Sequence, residues 1–306
     1  MTEYTPGFIK TPGGRNVSAR VSNPKHEIRQ ARRSFYVPLL DESGIRVVGE
    51  CAKEAIDKNK DCMILWTGKR GAGKSTGILK TALYIDPKID ETKVAYWLED
   101  ITNLFATNKQ GDGSKGFYPQ IISDETGYAL HGKQWQTRAQ IEIAKNMIIN
   151  RIMKQIFHAA VPNKMQCNNE VRDMAFMWIH VSEPEYYKQG YAVVRLAPPE
   201  KQSEFYSSSF WEPKFAFIFQ ELKGELWDRY EAKKIEFVKE ASLKTAMGKG
   251  AGSEKHGTAR DALLKEYYQY RKEHNDPITC ESLSKIAGIG TTRAWQILND
   301  EAPSSL

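Results

Sequence analysis

The sequence lacks any long run of apolar residues. Runs such as Cys62-Met63-Ile64-Leu65-Trp66 fall far short of the roughly 20 residues that a membrane-spanning helix needs. The first residues, Met1 to Gly7, also lack the apolar core of a signal peptide. We therefore expect no membrane span and a cytoplasmic location, which would be the host-cell cytoplasm if a virus or plasmid encodes the chain.

Cysteine is also scarce. The chain has 4 cysteines in 306 residues, namely Cys51, Cys62, Cys167 and Cys280. No two of them have the C-x-x-C spacing of a zinc or redox site, and so few thiols make no disulfide scaffold. The pattern predicts reduced, buried thiols in a cytosolic protein.

Positive charge is abundant only near the N-terminus. The formal net charge of the chain is +6, and residues 1–36 contain seven lysines and arginines against two glutamates. Proline and glycine are interleaved with these charges, which predicts an extended basic arm over 1–36. Such an arm could lie on nucleic-acid phosphates, remain a solvated tail, or strap onto a neighbouring subunit, and charge alone does not decide among these.

From about residue 37 to 246, apolar strand-like runs alternate with helical stretches. The strand-like runs are 62–67, 93–97, 120–123, 156–161 and 175–181, and helical periodicity covers 45–57, 73–84 and 137–154. This alternation predicts an α/β domain with a largely parallel sheet flanked by helices. Further strands are expected at 191–196 and 215–219 as a hairpin-like addition, followed by a charged amphipathic helix over 221–246.

One segment matches G-x-x-x-x-G-K-[ST] in full and sits directly after an apolar strand, where it opens a helix. Its glycines let backbone N–H groups point at phosphate oxygens, and the helix N-terminus adds its dipole. We expect Lys74 to bridge the β- and γ-phosphates of ATP and Ser75 to supply a hydroxyl to Mg²⁺. The expected nucleotide-binding residues are Gly68, Lys69, Arg70, Gly71, Ala72, Gly73, Lys74, Ser75 and Thr76.

An acidic pair follows the strand-like run 120–123. Asp124 is expected to hold Mg²⁺, directly or through water. Glu125 can act as a general base, because its carboxylate can polarise a water molecule for attack on the γ-phosphate. The pair therefore favours nucleotide hydrolysis over binding alone, although an acidic loop start without a catalytic role is the alternative.

The order of these motifs resembles that of additional-strand P-loop NTPases with a catalytic glutamate. That class includes AAA+ proteins, RecA-like motors and the FtsK–HerA DNA translocases. Over about residues 60–200, the chain is most similar to small FtsK–HerA-type packaging ATPases of archaeal viruses and plasmids. The resemblance implies an ATP hydrolase that works on DNA, as a ring of subunits for which six is the expected number.

The resemblance also implies two further site residues. Asn163, at the end of the next strand, would sense the γ-phosphate or the attacking water, although FtsK–HerA members often have glutamine there and a simple turn residue is the alternative. Arg172 would be the arginine that a neighbouring subunit inserts at the γ-phosphate. Arg138 and Arg151 are other candidates, and a structural ion pair is the alternative for all three.

The C-terminal part predicts a small all-α domain. Residues 247–257 contain four glycines and are expected to form a flexible linker. Residues 258–306 have the pattern of short helices around a glycine turn, which resembles a DNA-binding helix-turn-helix. Thr292, Arg293 and Gln296 would then face DNA, whereas Trp295 is expected in the core. A small helical interaction module is the alternative.

Together these patterns predict an Mg²⁺-dependent ATP hydrolase acting on double-stranded DNA as a translocase or packaging motor. One alternative is an ATP-dependent assembly switch on DNA, such as a loader, partition or transposition accessory. Another is a nucleotide-sensing DNA-binding regulator with negligible turnover. A small-molecule kinase would leave Glu125 without an obvious role.

Overall fold

The computed structural model describes most of the chain. The described residues are 4–5, 7–30, 33–60, 62–124, 153–162, 174–182, 190–196, 212–248, 264–265, 267–269, 271–273, 279–287, 291 and 294–295. The chain divides into two compact units, Met1–Trp227 and Asp228–Leu306.

Most of the first unit is built on a nine-stranded sheet. Its strands follow the order β4-β5-β12-β11-β10-β6-β9-β8-β7. The bounds of the twelve described strands are β1 Tyr4–Thr5, β2 Phe8–Lys10, β3 Asn16–Ser18, β4 Val21–Gln30, β5 Arg33–Leu40, β6 Cys62–Thr67, β7 Val94–Ala95, β8 Gln120–Ser123, β9 Ile156–Val161, β10 Ala175–Ser182, β11 Gly190–Leu196 and β12 Pro213–Phe219. The helices of this unit are α1 Ser43–Asp57, α2 Lys74–Ile85 and α3 Leu98–Thr107.

Five neighbouring strands at one end of the sheet are parallel. Neighbours in the series β10-β6-β9-β8-β7 all pair in parallel. β11 pairs antiparallel with both β10 and β12, as the expected hairpin-like addition requires. The prediction of an α/β fold with a largely parallel sheet is confirmed. β9 is inserted between β6 and β8, and this order decides which strand ends meet at the site.

The core lies along the buried strands. All six residues of β6 and all six of β9 are buried, as is typical of parallel strands that are covered on both faces. Leu65, Ile121 and Phe157 belong to one buried cluster with Ile101 and Phe105 of α3. Each such large side chain stabilises the fold by about 1.5–3 kcal/mol on burial. The core therefore fixes the positions of the ends of β6 and β8 relative to each other.

The N-terminal segment differs from the extended basic arm that the sequence predicts. β1, β2 and β3 form a small antiparallel sheet, and β4 and β5 form a hairpin that extends the main sheet. The segment is tied to α1, because the Glu54 carboxylate accepts the amide of Gly13 at 3.0 Å and the Lys58 ammonium donates to the Gly13 carbonyl at 2.9 Å. The backbone is extended as expected, but it is paired rather than free.

The second unit is helical where the structure describes it. α4 spans Glu225–Gly248, starting shortly before the unit boundary, and α5 spans Cys280–Ala287. Thr279 caps α5, since its hydroxyl accepts the amide of Ser282 at 3.1 Å. Trp295 is 54% exposed, so the expectation that it belongs to the core is wrong. A tryptophan in a short amphipathic stretch does not reveal by its spacing which face it takes.

The predicted linker and helix-turn-helix are described only in part. Residues 249–257 and the turn 288–290 lie outside the described residues, so the domain boundaries at 246, 257 and 258 stay predictions. In the parts that are described, no helix is both long enough and apolar enough to cross a membrane.

Candidate nucleotide-binding site

The phosphate loop joins the end of β6 to the start of α2. Three of its glycines, Gly68, Gly71 and Gly73, have φ angles of 149°, 79° and 92°, which L-residues with side chains rarely adopt. A Cβ atom on Gly68 would lie 2.1 Å from the carbonyl oxygen of Val181 in β10. The loop backbone thus turns sharply while lying directly against the neighbouring strand.

Lys74 is the first residue of α2 and reaches back over the loop. Its ammonium donates to the carbonyl oxygens of Gly68 and Lys69, both at 2.9 Å. A phosphate oxygen is a stronger, charge-assisted acceptor than a carbonyl. The lysine is therefore held where a bound phosphate can take over its hydrogen bonds.

Ser75 and Asp124 meet across the site. The Ser75 hydroxyl lies 3.1 Å from each carboxylate oxygen of Asp124, and Asp124 is 2% exposed. The Asp124 backbone amide donates to the Ala95 carbonyl at 3.2 Å, which fixes the residue just beyond β8. The motif and the acidic strand end, 49 residues apart in the chain, thus form one site.

The oxygen atoms at this point suit Mg²⁺. This ion is commonly bound by one or two carboxylates together with substrate phosphates, rather than by a cage made only of protein ligands. Ser75 and Asp124 supply one hydroxyl and one carboxylate. Among the residues that the structure describes, no three His, Cys, Asp or Glu side chains cluster as a metal site. One hydroxyl and one carboxylate are too few to hold the ion by themselves. They fit an Mg²⁺ ion that is also bound by the phosphates of a nucleotide.

Thr67, the residue directly before the loop, has a role that the sequence did not reveal. Its hydroxyl oxygen accepts the indole N–H of Trp178 at 2.7 Å and lies 3.0 Å from Nδ1 of His180. Both partners belong to β10. The signal in the sequence is a polar residue that ends an otherwise apolar strand, but nothing local identifies its partners 111 and 113 residues away.

Arg195 of β11 packs against Trp178 of β10. Its guanidinium carbon lies 4.5 Å from the centre of the Trp178 ring, as a cation–π contact requires. The residue is 6% exposed, and burial lowers the pKa of Arg195 to about 10. It is thus a cation at neutral pH, and it holds the indole that bonds to Thr67.

A buried hydrogen-bond chain lies behind Asp124. Gln120 of β8 donates from Nε2 to the Ala82 carbonyl of α2 at 3.0 Å, and its Oε1 lies 3.1 Å from Nε2 of His158 in β9. Burial lowers the pKa of His158 to about 3, so the imidazole is neutral and can donate. This chain links β9, β8 and α2, and so it helps to fix Asp124 relative to Ser75.

The structure brings together the loop residues, Lys74, Ser75 and Asp124. Lys69 and Arg70 are exposed, whereas Thr76 is buried in α2. The Pro162 carbonyl, directly after β9, accepts the Gly68 amide at 3.3 Å. The remaining predicted residues lie outside the described residues: Glu125, Asn163, Arg172, Arg138, Arg151, Thr292, Arg293 and Gln296.

The chain has the fold of a P-loop NTPase. Its features are the strand–loop–helix unit from β6 to α2, the parallel strands beside it, and the contact between Ser75 and Asp124. No family model matches the chain, and no curated protein matches it closely enough to count as a relative.

Some solved structures are similar to parts of the chain. The N-terminal domain of zonular occludens toxin from Neisseria meningitidis is 11% identical, with 55% of this chain and 98% of that chain covered and a TM-score of 0.36. The genome packaging NTPase B204 from Sulfolobus turreted icosahedral virus 2, in complex with ATP-gammaS, is 19% identical, with 45% and 92% covered and a TM-score of 0.31.

Flagellar accessory protein FlaH from Methanocaldococcus jannaschii is 15% identical, with 51% of this chain and 87% of that chain covered and a TM-score of 0.28.

Proposed function

We propose that this protein is an Mg²⁺-dependent ATP hydrolase that acts on DNA as an oligomeric translocase or packaging motor. The observation that carries the proposal is the contact of Ser75 with Asp124 beside a glycine loop that ends in Lys74. A loop alone would support nucleotide binding. The second strand end, with its buried carboxylate, adds the oxygen ligands that a metal–nucleotide complex needs.

Each residue then has a defined task. The loop amides and Lys74 bind and orient the phosphates, and Ser75 and Asp124 hold the ion. When bound, Mg²⁺ neutralises the charge that develops on the phosphates. Glu125, which directly follows Asp124 in the chain, would take the proton of the attacking water. Asn163 would orient that water, and Arg172 of a neighbouring subunit would stabilise the transition state.

Action on DNA is supported by the basic N-terminal segment and by the resemblance of residues 258–306 to a helix-turn-helix. Residues 1–36 carry seven lysines and arginines against two glutamates, whereas Asp228–Leu306 carries 13 lysines and arginines against 12 aspartates and glutamates. The assembly switch on DNA remains the second candidate, because the same site would serve it. Directional displacement of a protein roadblock from DNA by the hydrolysing enzyme distinguishes a motor from a switch.

The test of hydrolysis compares two site variants with two matched controls. Lys74→Ala is expected to weaken ATP binding strongly, whereas Glu125→Gln should bind ATP normally and lose turnover by about 10²–10⁴-fold, the usual contribution of a general base. The control variants Lys88→Ala and Glu99→Gln make the same changes at exposed positions outside the loop. Normal turnover by Glu125→Gln would show that Glu125 is not the general base. Normal turnover by Lys74→Ala would show that the glycine loop is not the site of hydrolysis.

A further inference from the structure

The junction between the phosphate loop and α2 is made of glycine. The N-cap residue of α2 is Gly73, with a φ of 92°, and a glycine has no side chain with which to cap a helix. A capping side chain would occupy backbone N–H groups at the start of the helix, and a bound phosphate needs these same groups. The junction must therefore be fixed by packing from the side, which leaves the N–H groups open.

An aromatic ring packs beside this junction. Phe219, the last residue of β12, is 2% exposed. A Cβ atom at Gly73 would lie 3.5 Å from Cε2 of the Phe219 ring, and one at Gly77 would lie 3.4 Å from its Cζ. The Gly77 amide donates to the Gly73 carbonyl at 3.0 Å, so the two glycines are one turn apart. The ring thus lies along the first turn of α2.

The ring reaches α2 because Gly190 of β11 has no side chain. Gly190 is the residue that pairs with Phe219 in the antiparallel register. A Cβ atom at Gly190 would lie 2.4 Å from Cζ and 2.6 Å from Cε2 of the ring. The φ of Gly190 is not among the positive ones, so the ring, and not the backbone conformation, accounts for the glycine. Glycine inside a strand often marks such a close approach.

Ordinary core packing explains only part of this arrangement. Phe215, Phe217 and Phe219 follow one another along β12, with neighbouring ring centres 6.3 and 5.7 Å apart. All three rings are buried, so each of them contributes apolar burial to the fold. Phe215 lies four residues before Phe219, which is about 13 Å along the strand. The ring at the strand end is the one that lies beside Gly73 of the phosphate loop.

We propose that Phe219 is a positioning residue of the phosphate site, whose ring fixes the junction of the loop and α2 before a nucleoside triphosphate binds. The loop amides and Lys74 are then already aligned, so the nucleotide does not have to order them. Such preorganisation increases affinity because less ordering is left to the binding step. This inference deepens the proposed function and rests on it for the identity of the ligand.

The test compares Phe219→Leu with Phe215→Leu, which makes the same change in the same strand away from the loop. Both positions are buried, so each variant should lower the melting temperature by about 2–4 °C. Affinity for a non-hydrolysable ATP analogue with Mg²⁺ is measured on the full-length protein by calorimetric titration. It should fall about tenfold in Phe219→Leu and stay at the wild-type value in Phe215→Leu. A role in stability alone would not separate the two variants.

A second substitution tests the contact itself. Gly190→Ala adds a methyl group at the ring and should displace the ring, weakening analogue binding about tenfold. Phe219→Leu shortens the side chain and leaves room for this methyl group, so Gly190→Ala should have little further effect in that background. Such non-additivity is expected of residues in contact. Because Gly190→Ala retains the ring, it also tests the contact if Phe219→Leu does not fold.

Four results would overturn the inference: wild-type affinity in Phe219→Leu, equal losses of affinity in Phe219→Leu and Phe215→Leu, wild-type affinity in Gly190→Ala, or additive effects of Gly190→Ala and Phe219→Leu. Each of them leaves the proposed function in place as long as the wild type binds the analogue and Lys74→Ala does not. Failure of the wild type to bind the analogue would instead contradict the proposed function, and the role of Phe219 with it.

Discussion

At the scale of single residues, Thr67 connects the phosphate loop with the strand beside it. Its hydroxyl is the shared partner of Trp178 and His180, and the next residue, Gly68, lies against the Val181 carbonyl. A small displacement of Thr67 would therefore move the first amide of the loop. The position of this hydroxyl should affect how tightly nucleotide binds.

The corresponding prediction concerns Thr67→Val, which keeps the volume nearly unchanged but removes the hydroxyl. It leaves the buried Trp178 N–H without this acceptor, which should cost about 1–3 kcal/mol of folding free energy. Affinity for a non-hydrolysable ATP analogue should fall about tenfold, which corresponds to ~1.4 kcal/mol. Thr67→Ser retains the hydroxyl and serves as the control in calorimetric titration and thermal unfolding. Equal analogue affinity in the two variants would show that the hydroxyl does not position the loop.

At the scale of secondary-structure elements, the N-terminal meander β1–β3 is joined to α1 through Glu54. This side chain is 4% exposed. Burial by itself would raise the pKa of Glu54, but hydrogen bonds from Thr11, Lys58 and the Gly13 amide lower it overall. A carboxylate whose pKa is lower in the folded than in the unfolded state stabilises the fold at neutral pH.

This linkage predicts a pH dependence. The contribution of Glu54 is fully present above the ordinary glutamate pKa of about 4.3 and is lost as the pH falls through the lower pKa of the folded state. Glu54→Gln should therefore reduce the free energy of unfolding at pH 7, by about 1–3 kcal/mol. Urea denaturation at a series of pH values should show this difference shrinking toward acid pH. A constant difference at every pH would exclude a role for the ionised carboxylate, and Glu99→Gln provides the exposed control.

The elements also show which parts of the fold the sequence can predict. β6, the phosphate loop and α2 are contiguous, and each has a strong local signal: an apolar run, three glycines and a helical stretch. β4 has no such signal, because as an edge strand it buries little beyond Ile28 and otherwise carries exposed polar and charged residues. Its pairing with β5 follows from the register of the hairpin and from the cluster around Val193, which lies far away in the chain.

The candidate site, like the fold, has a part that the sequence predicts and a part that it does not. The meeting of the glycine loop with Asp124 could be predicted, because a motif and an acidic strand end are the two parts expected of one site; the roles of these residues stay predictions. The supporting contacts could not, because Trp178 meets Thr67 across 111 residues and Gln120 meets Ala82 across 38. Hydrogen bonds of this kind depend on strand order, which a local pattern does not contain.

At the scale of the whole molecule, the proposed ring predicts cooperation between subunits. If Arg172 completes the site of a neighbouring subunit, the Arg172→Ala variant should bind ATP normally. In rings that also contain wild-type subunits, this variant should inhibit hydrolysis. Mixing this variant with wild-type protein at fixed total concentration should then reduce turnover more steeply than in proportion to the wild-type fraction. Native mass measurement of the same mixtures reports the number of subunits, for which we expect six. Turnover proportional to the wild-type fraction would argue against coordinated hydrolysis by the subunits of one ring.

The most direct test of the whole account is steady-state ATP hydrolysis by the wild type and by Lys74→Ala, with and without double-stranded DNA, at two salt concentrations. We predict hydrolysis by the wild type that Lys74→Ala abolishes. DNA should raise wild-type turnover about tenfold at low salt and much less at high salt, because phosphate contacts weaken as salt increases. Equal turnover by both proteins, or wild-type turnover that DNA does not change at low salt, would contradict the account.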